Sequence, residues 1–142
     1  MSFTTFSIGR DTQLVVMGPN GRIDLEHVTA FESKQITQSV RVSRLDGTQL
    51  GTELPKGWEG SFELERGNSV VEDFIAATEQ AYLNGGSSGS VTMYQYISET
   101  DGSVSTYQYA GVTLKLVNAG IWRGESSVKQ KLEFFGVSRS RI

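Results

Sequence analysis

ELPKGWEGSFELERGNSVVEDF, residues 53–74, holds a turn, a strand and a helix start in one block. Trp58, Gly60, Phe62 and Leu64 alternate with Glu59, Ser61, Glu63 and Glu65. Strand side chains repeat every second residue, so this stretch predicts a half-buried strand with one apolar and one acidic face. Gly67-Asn68 ends it. Ser69, with Glu72 three residues on, matches a capping box, whose two side chains satisfy free amides at a helix start. Val70, Val71, Phe74, Ile75, Thr78, Ala81 and Tyr82 then recur at helical spacing, and Gly85-Gly86 supplies a stop. A helix is therefore expected over residues 69–84. Trp58, Phe62, Leu64 and Phe74 are the candidate core of the block.

On the N-terminal side, Gln13 to Met17 is an apolar run followed by Gly18-Pro19-Asn20-Gly21, a tight-turn signal, with a return run from Arg22 through Leu25, Val28 and Phe31. Residues 35–54 are polar around Asp46-Gly47. Val40 and Val42 share parity, as do Leu50 and Leu54, which puts Arg41, Ser43, Gln49 and Glu53 on the other face. A two-stranded excursion with so little apolar content is marginal in water, so this hairpin or extended loop is expected to need a partner. Downstream, residues 84–90 read as a flexible connector. Val91–Ile97 and Val104–Tyr109 flank Asp101-Gly102, Val112–Val117 and Val128–Val137 are further strands, and a loop between them carries Trp122. Residues 1–11 read as an N-terminal arm and residues 138–142 as a basic tail.

The pattern predicts about seven or eight strands with one mid-chain helix: a mostly β (α+β) chain of two packed sheets or a barrel, with a flanking helix and a protruding hairpin. At 142 residues one domain is expected. No run is long enough to cross a bilayer and no leader pattern is present, so the chain reads as soluble, unprocessed and without a membrane partner.

Composition narrows the chemistry. The absence of cysteine excludes disulfides, thiolate nucleophiles and cysteine-ligated metals. His27 is the one histidine and reads as a partly exposed strand residue, with no nucleophile elbow around any serine. No catalytic, metal or cofactor site is expected. The row Glu59, Glu63, Glu65 offers paired carboxylates only at ordinary strand spacing, and its plainer reading is a solvated face paired with Lys129 and Lys131. Tyr94, Tyr96, Tyr107 and Tyr109, with Trp122, leave a glycan-binding β-sandwich as an alternative of a different class. Net charge is −3, from 13 basic and 16 acidic side chains, the wrong balance for a protein that grips phosphates.

Leu54 to Phe74 resembles the segment of bacteriophage tail tube proteins in which a Gly-Trp-x-Gly strand runs into the mid-chain helix. The polar hairpin, the strand pair around Asn20-Gly21 and the closing SVKQKLEFFGV fit the same layout, so the likeness in organisation spans most of the chain. It implies the fold of type VI secretion tube proteins, hexameric rings stacked into a hollow tube for DNA ejection, a hairpin reaching the adjacent ring, terminal arms bridging subunits, and a virion-tail location after assembly in the host cytoplasm. It also implies sheath, baseplate and terminator partners, with DNA passing unbound. On that likeness Arg41, Arg44, Asp46, Gly47, Gln49 and Leu50 are candidates for inter-ring contact. Glu59, Glu63 and Glu65 would either line the lumen or meet Lys129 and Lys131. A type VI-like tube component remains the alternative within the same assembly class.

Overall fold

The computed structural model describes residues 6–18, 21–23, 25, 27–86 and 91–142. In chain order they form a 3-10 turn (Gly9–Asp11), β1 (Thr12–Gly18), β2 (Gly21–Ile23), β3 (Val28–Ser43), β4 (Gln49–Glu65), α1 (Val70–Leu83), β5 (Val91–Ser98), β6 (Val104–Asn118), β7 (Lys129–Gly136) and β8 (Ser138–Arg141). The strands make one antiparallel sheet in the order β2-β1-β5-β6-β7-β4-β3, with β8 on β6. It folds over on itself without closing into a barrel. The chain is therefore mostly β with one flanking helix, as the patterning predicts.

The fold turns on β6. Its first half pairs with β5 and β8 and its second half with β7. Two runs expected as separate strands, 104–109 and 112–117, are thus one strand that bends between them. Gly111 sits at the bend with φ 60°, where a side chain would be strained and would meet Val137. The two half-sheets enclose one core of Leu14, Val16, Phe62, Leu64, Val71, Val91, Met93, Tyr109, Val112, Leu132 and Phe134. Phe62 is 1% exposed and Leu64 5%, while Trp58 and Phe74 are partly buried against the same cluster. Helix α1 lays Val71, Phe74 and Ile75 on this core and stops in a Schellman arrangement, with Gly86 N–H bonded to Ala81 O and Gly85 N–H to Tyr82 O, both 3.0 Å.

Four further expectations change. The helix starts at Val70, but the capping box does not form: Ser69 makes no side-chain cap. Asn68 Oδ1 takes the Val70 amide at 3.0 Å instead, and Ser69 Oγ donates to Asp73 Oδ2 at 3.1 Å. The Glu72 carboxylate is held by the Arg66 guanidinium, a stronger charge-assisted partner than a backbone amide. The basic tail is not free, because Ser138–Arg141 is a strand on β6. His27 lies at a turn with φ 61°, exposed, rather than in a strand. Of the arm expected over residues 1–11, Gly9–Asp11 is the 3-10 turn, closed by Ile8 N–H on Asp11 Oδ2 at 2.9 Å. Residues 1–5, the Pro19-Asn20 turn and residues 87–90 of the connector lie outside the described residues.

The Gly-Trp-x-Gly motif has a physical explanation. Ile36 pairs with Gly57 but Thr37 pairs with Pro55, leaving Lys56 as an extra residue in a bulge. Gly57, at φ 126°, takes the backbone conformation that this bulge requires. Gly60 is needed for space: a Cβ there would run into the Glu32 carbonyl and lie 2.8 Å from the Phe134 ring. Between them Trp58 meets Tyr109 edge-on at 6.3 Å. Gly60→Ala is expected to lower stability by about 1–3 kcal/mol through overpacking between β3 and β7, measured as a fall in the denaturation midpoint with an unchanged slope.

Candidate functional site

Beyond the bulge at Lys56, strands β3 and β4 run out together as a hairpin whose residues 37–56 are exposed except for Val40. Its tip is a type I turn with an added glycine. Gly47 N–H donates to Arg44 O at 3.0 Å, Arg44 N–H to Thr48 O at 2.8 Å, and Thr48 N–H to Asp46 Oδ1 at 2.9 Å. The same geometry recurs at Glu99–Ser103, where Asp101 Oδ1 takes the Ser103 amide. Asp46 and Gly47 thus shape the tip.

Register assigns the two faces of the hairpin. Val42 stands opposite Leu50, Gln38 opposite Leu54 and Val40 opposite Thr52. Val42 is 52% exposed, Leu50 44% and Leu54 41%, and Leu45 at the tip is fully exposed. The other face carries Arg41 and satisfies much of its polarity internally. Glu53 accepts from Ser39 Oγ at 2.6 Å and Thr37 Oγ1 at 2.9 Å, and Ser43 Oγ donates to Gln49 Oε1 at 2.8 Å. The six inter-ring candidates are therefore split: Leu50 is on the apolar face, Arg41 and Gln49 are on the polar face, and Arg44, Asp46 and Gly47 form the tip.

The acidic row lies on the outer face of the half-sheet formed by β3, β4, β7 and the end of β6. Across the ladder Glu63 is paired with Lys131 and Glu65 with Lys129, while Glu59 meets Phe135 and Ser61 meets Glu133. Lys115 stands opposite Glu133 on the far side. Glu32 pairs with Ser61, and Lys34 with Glu59. Lys34 Nζ also contacts Glu32 Oε1 at 3.0 Å, which raises the Lys34 pKa. Five carboxylates (Glu32, Glu59, Glu63, Glu65, Glu133) thus alternate with four lysines (Lys34, Lys115, Lys129, Lys131). Glu32, Lys34, Lys115 and Glu133 escape a one-strand reading because only pairing brings them beside the row, although β7 shows its own period-two charge pattern.

The outer face of the other half-sheet is the chemical opposite. Gln13, Val15 and Met17 of β1 pair with Tyr96, Tyr94 and Thr92 of β5. Tyr94 and Tyr96 pair onward with Gln108 and Thr106, and Gln108 with Ser140. None of these residues is charged; Arg22, opposite Met17, sits at the margin. Tyr94 and Tyr96 stack at 6.4 Å. Tyr107 and Tyr109 point to the interior face, Tyr109 with no exposure. The four tyrosines therefore form no common platform, and Trp122 is on a separate loop, so the glycan-binding surface is not assembled.

A polar cluster at the start of α1 fixes that loop. Glu72 accepts from Arg66 Nε at 2.6 Å and Arg66 Nη2 at 3.2 Å, and from Gln130 Nε2 at 3.0 Å. The Arg66 guanidinium, foremost, holds the Glu72 carboxyl below its usual range, and Gln130 adds to this. Arg66 also lies 5.2 Å over the Trp122 ring, and Gln130 Nε2 reaches Ala119 O at 3.1 Å. Among the described residues no group of three or more His, Asp and Glu is placed to hold a metal. An open surface groove of about 290 Å³ is bordered by Glu32, Lys34, Glu59 and Glu133.

The Glu53 carboxyl is held below its usual range by the Ser39 hydroxyl first and the Thr37 hydroxyl second. A depressed folded pKa stabilises above the unfolded value, so this support is lost as pH falls through the folded one. Carboxyl carbon NMR across a pH titration should show Glu53 titrating below an ordinary glutamate, and Ser39→Ala should move it back up. An unshifted Glu53 in the parent chain would contradict the hairpin geometry.

No protein-family model and no curated protein sequence matches the chain. Solved structures do. A chain of the anti-feeding prophage cap, the tube terminating cap, aligns over 100% of this chain and 94% of its own with a TM-score of 0.64 at 7% identity. A chain of the PVC sheath/tube terminator, from an extracellular contractile injection system in the extended state, covers 92% of this chain and 93% of its own at 0.60 and 8%. A chain of the PVC sheath-tube complex gives 0.59 and 11%, covering 92% of this chain and 88% of its own. The chain has the contractile-tail tube fold, that of tube and tube-terminator proteins of contractile injection systems.

Proposed function

We propose that the chain is a structural, non-enzymatic subunit of a phage-tail-type tube, forming rings that stack into a hollow conduit for DNA ejection. The observation that carries this is fold likeness over the full length of the chain to a tube terminating cap and, over 92% of it and slightly lower, to a chain of a sheath-tube complex. Two physical features support it. The β3–β4 hairpin projects beyond the core with Val42, Leu45, Leu50 and Leu54 exposed, which suits a segment that a neighbouring ring covers. Among the described residues, strands β2 and β3 end the sheet at open edges, which suits closure of rings by repeated copies. Six copies per ring, sheath, baseplate and terminator partners, and a virion-tail location after assembly in the host cytoplasm belong to the same proposal.

A terminator is a second reading, favoured by the higher TM-scores to the cap and to the sheath/tube terminator. It predicts single rings that seal a tube end, whereas a tube subunit propagates. Negative-stain electron microscopy over a concentration series, beside a sizing column, separates them. Hollow tubes with a regular axial repeat are expected. Isolated rings at every concentration would favour the terminator, and a monomer that neither closes rings nor adds to preformed tubes would remove both readings. Leu50→Asp, on an exposed position, should leave the melting temperature of the free subunit nearly unchanged while abolishing stacking.

A further inference from the structure

We propose that the charged outer face of the β3-β4-β7-β6 half-sheet lines the bore of the tube, and that the uncharged face of β1-β5-β6-β8 points outward. This rests on the tube reading and assigns its two free surfaces. The two faces lie on opposite sides of one core, so a single orientation sets both.

The charged face carries nine ionised side chains on four adjacent strands. Taking such groups out of water costs several kcal/mol per ion unless each finds a matched, fully bonded partner. Covering this face with another protein layer is therefore unfavourable, and a bore meets only water and the passing chain. The opposite face bears Tyr94, Tyr96, Met17 and Gln108 and no charge in its interior. Protein contacts are depleted of charge at their centres and enriched in tyrosine and methionine, so this is the face that tolerates an outer protein layer.

The sign pattern fits the bore as well. Four lysines against five carboxylates leave the face near neutrality, with opposite charges facing each other at Glu63–Lys131 and Glu65–Lys129. Fields from alternating charges cancel over a few ångströms, so a polyanion meets neither an attractive wall that would bind it nor a strongly repulsive one. The acidic row and its lysines are thus two halves of one lining of mixed charge rather than alternatives, with Glu65, one of whose oxygens is shielded from water, at its edge.

The cysteine-free sequence makes the test direct, because one introduced thiol is the only one present. Ser61→Cys reports the charged face and Gln13→Cys the uncharged one. Each variant is assembled, checked by electron microscopy, and treated with a small maleimide or with a maleimide carried on a polymer wider than the bore. In free subunits both positions should react with both reagents. In tubes, Ser61→Cys should keep its reaction with the small reagent and lose that with the bulky one, while Gln13→Cys keeps both. Bulky labelling of Ser61→Cys in tubes, loss of all labelling there, or selective shielding of Gln13→Cys would overturn the orientation. If the parent chain neither closes rings nor adds to preformed tubes, the assembly reading fails, and the orientation fails with it.

Discussion

The structure depends on one strand belonging to both halves of the sheet, and on the tyrosine that this strand buries between them. Tyr109 of β6 is fully buried. Its ring meets Phe134 of β7 at 5.5 Å, Trp58 of β4 at 6.3 Å and Phe31 of β3 at 6.5 Å, each edge-on. Its hydroxyl lies 2.9 Å from Ser33 Oγ and 3.4 Å from Gln95 Oε1, so a buried polar atom is satisfied from strands of both halves. Because β6 bends at Gly111 without breaking, its register with β5 and with β7 is set together. A slip on one side would turn Tyr109 out of the core and expose the other side.

Two cationic side chains close what this geometry leaves open. Where β8 follows β6 and β7 turns away with β4, Arg139 lies 3.7 Å over the Tyr107 ring and 4.6 Å over Trp58. The stacked guanidinium packs the corner where the half-sheets diverge. At the other end Arg66 joins Glu72, Trp122 and, through its amide, Val128 O at 2.7 Å. That cluster holds the helix start, the end of β4 and the 118–128 loop in one arrangement. The Arg66–Glu72 pair is partly exposed, so it adds little net stability; what it does here is select one geometry among several.

With the core occupied on its inner side, the outer side chains are free to differ, and they do. One half-sheet presents alternating lysines and glutamates and the other tyrosine, glutamine and threonine. The hairpin beyond the bulge belongs to neither: its polar face is bonded to itself and, among the described residues, its apolar face stays exposed. A net charge of −3 conceals this division entirely.

The sequence by itself determined whatever repeats locally. Alternation in residues 58–65 reports the buried face of β4, helical spacing and Gly85-Gly86 delimit α1, and parity alone separates Val42 and Leu50 from Arg41 and Gln49. These follow from backbone periods of two and about 3.6, which each segment carries alone. Only tertiary structure decided the rest. Residues 104–118 become one strand because β7 and β8 pair along them, and the tail is ordered for the same reason. Glu72 leaves the capping box because Arg66 and Gln130, the latter distant in sequence, converge on it. Tyr107 and Tyr109 part from Tyr94 and Tyr96 because the β5–β6 register sets them on opposite faces, and the glutamate row acquires its lysines from β7 and β6. Each of these outcomes is a pairing between distant segments, and single-segment periodicity carries no information about which strands become neighbours.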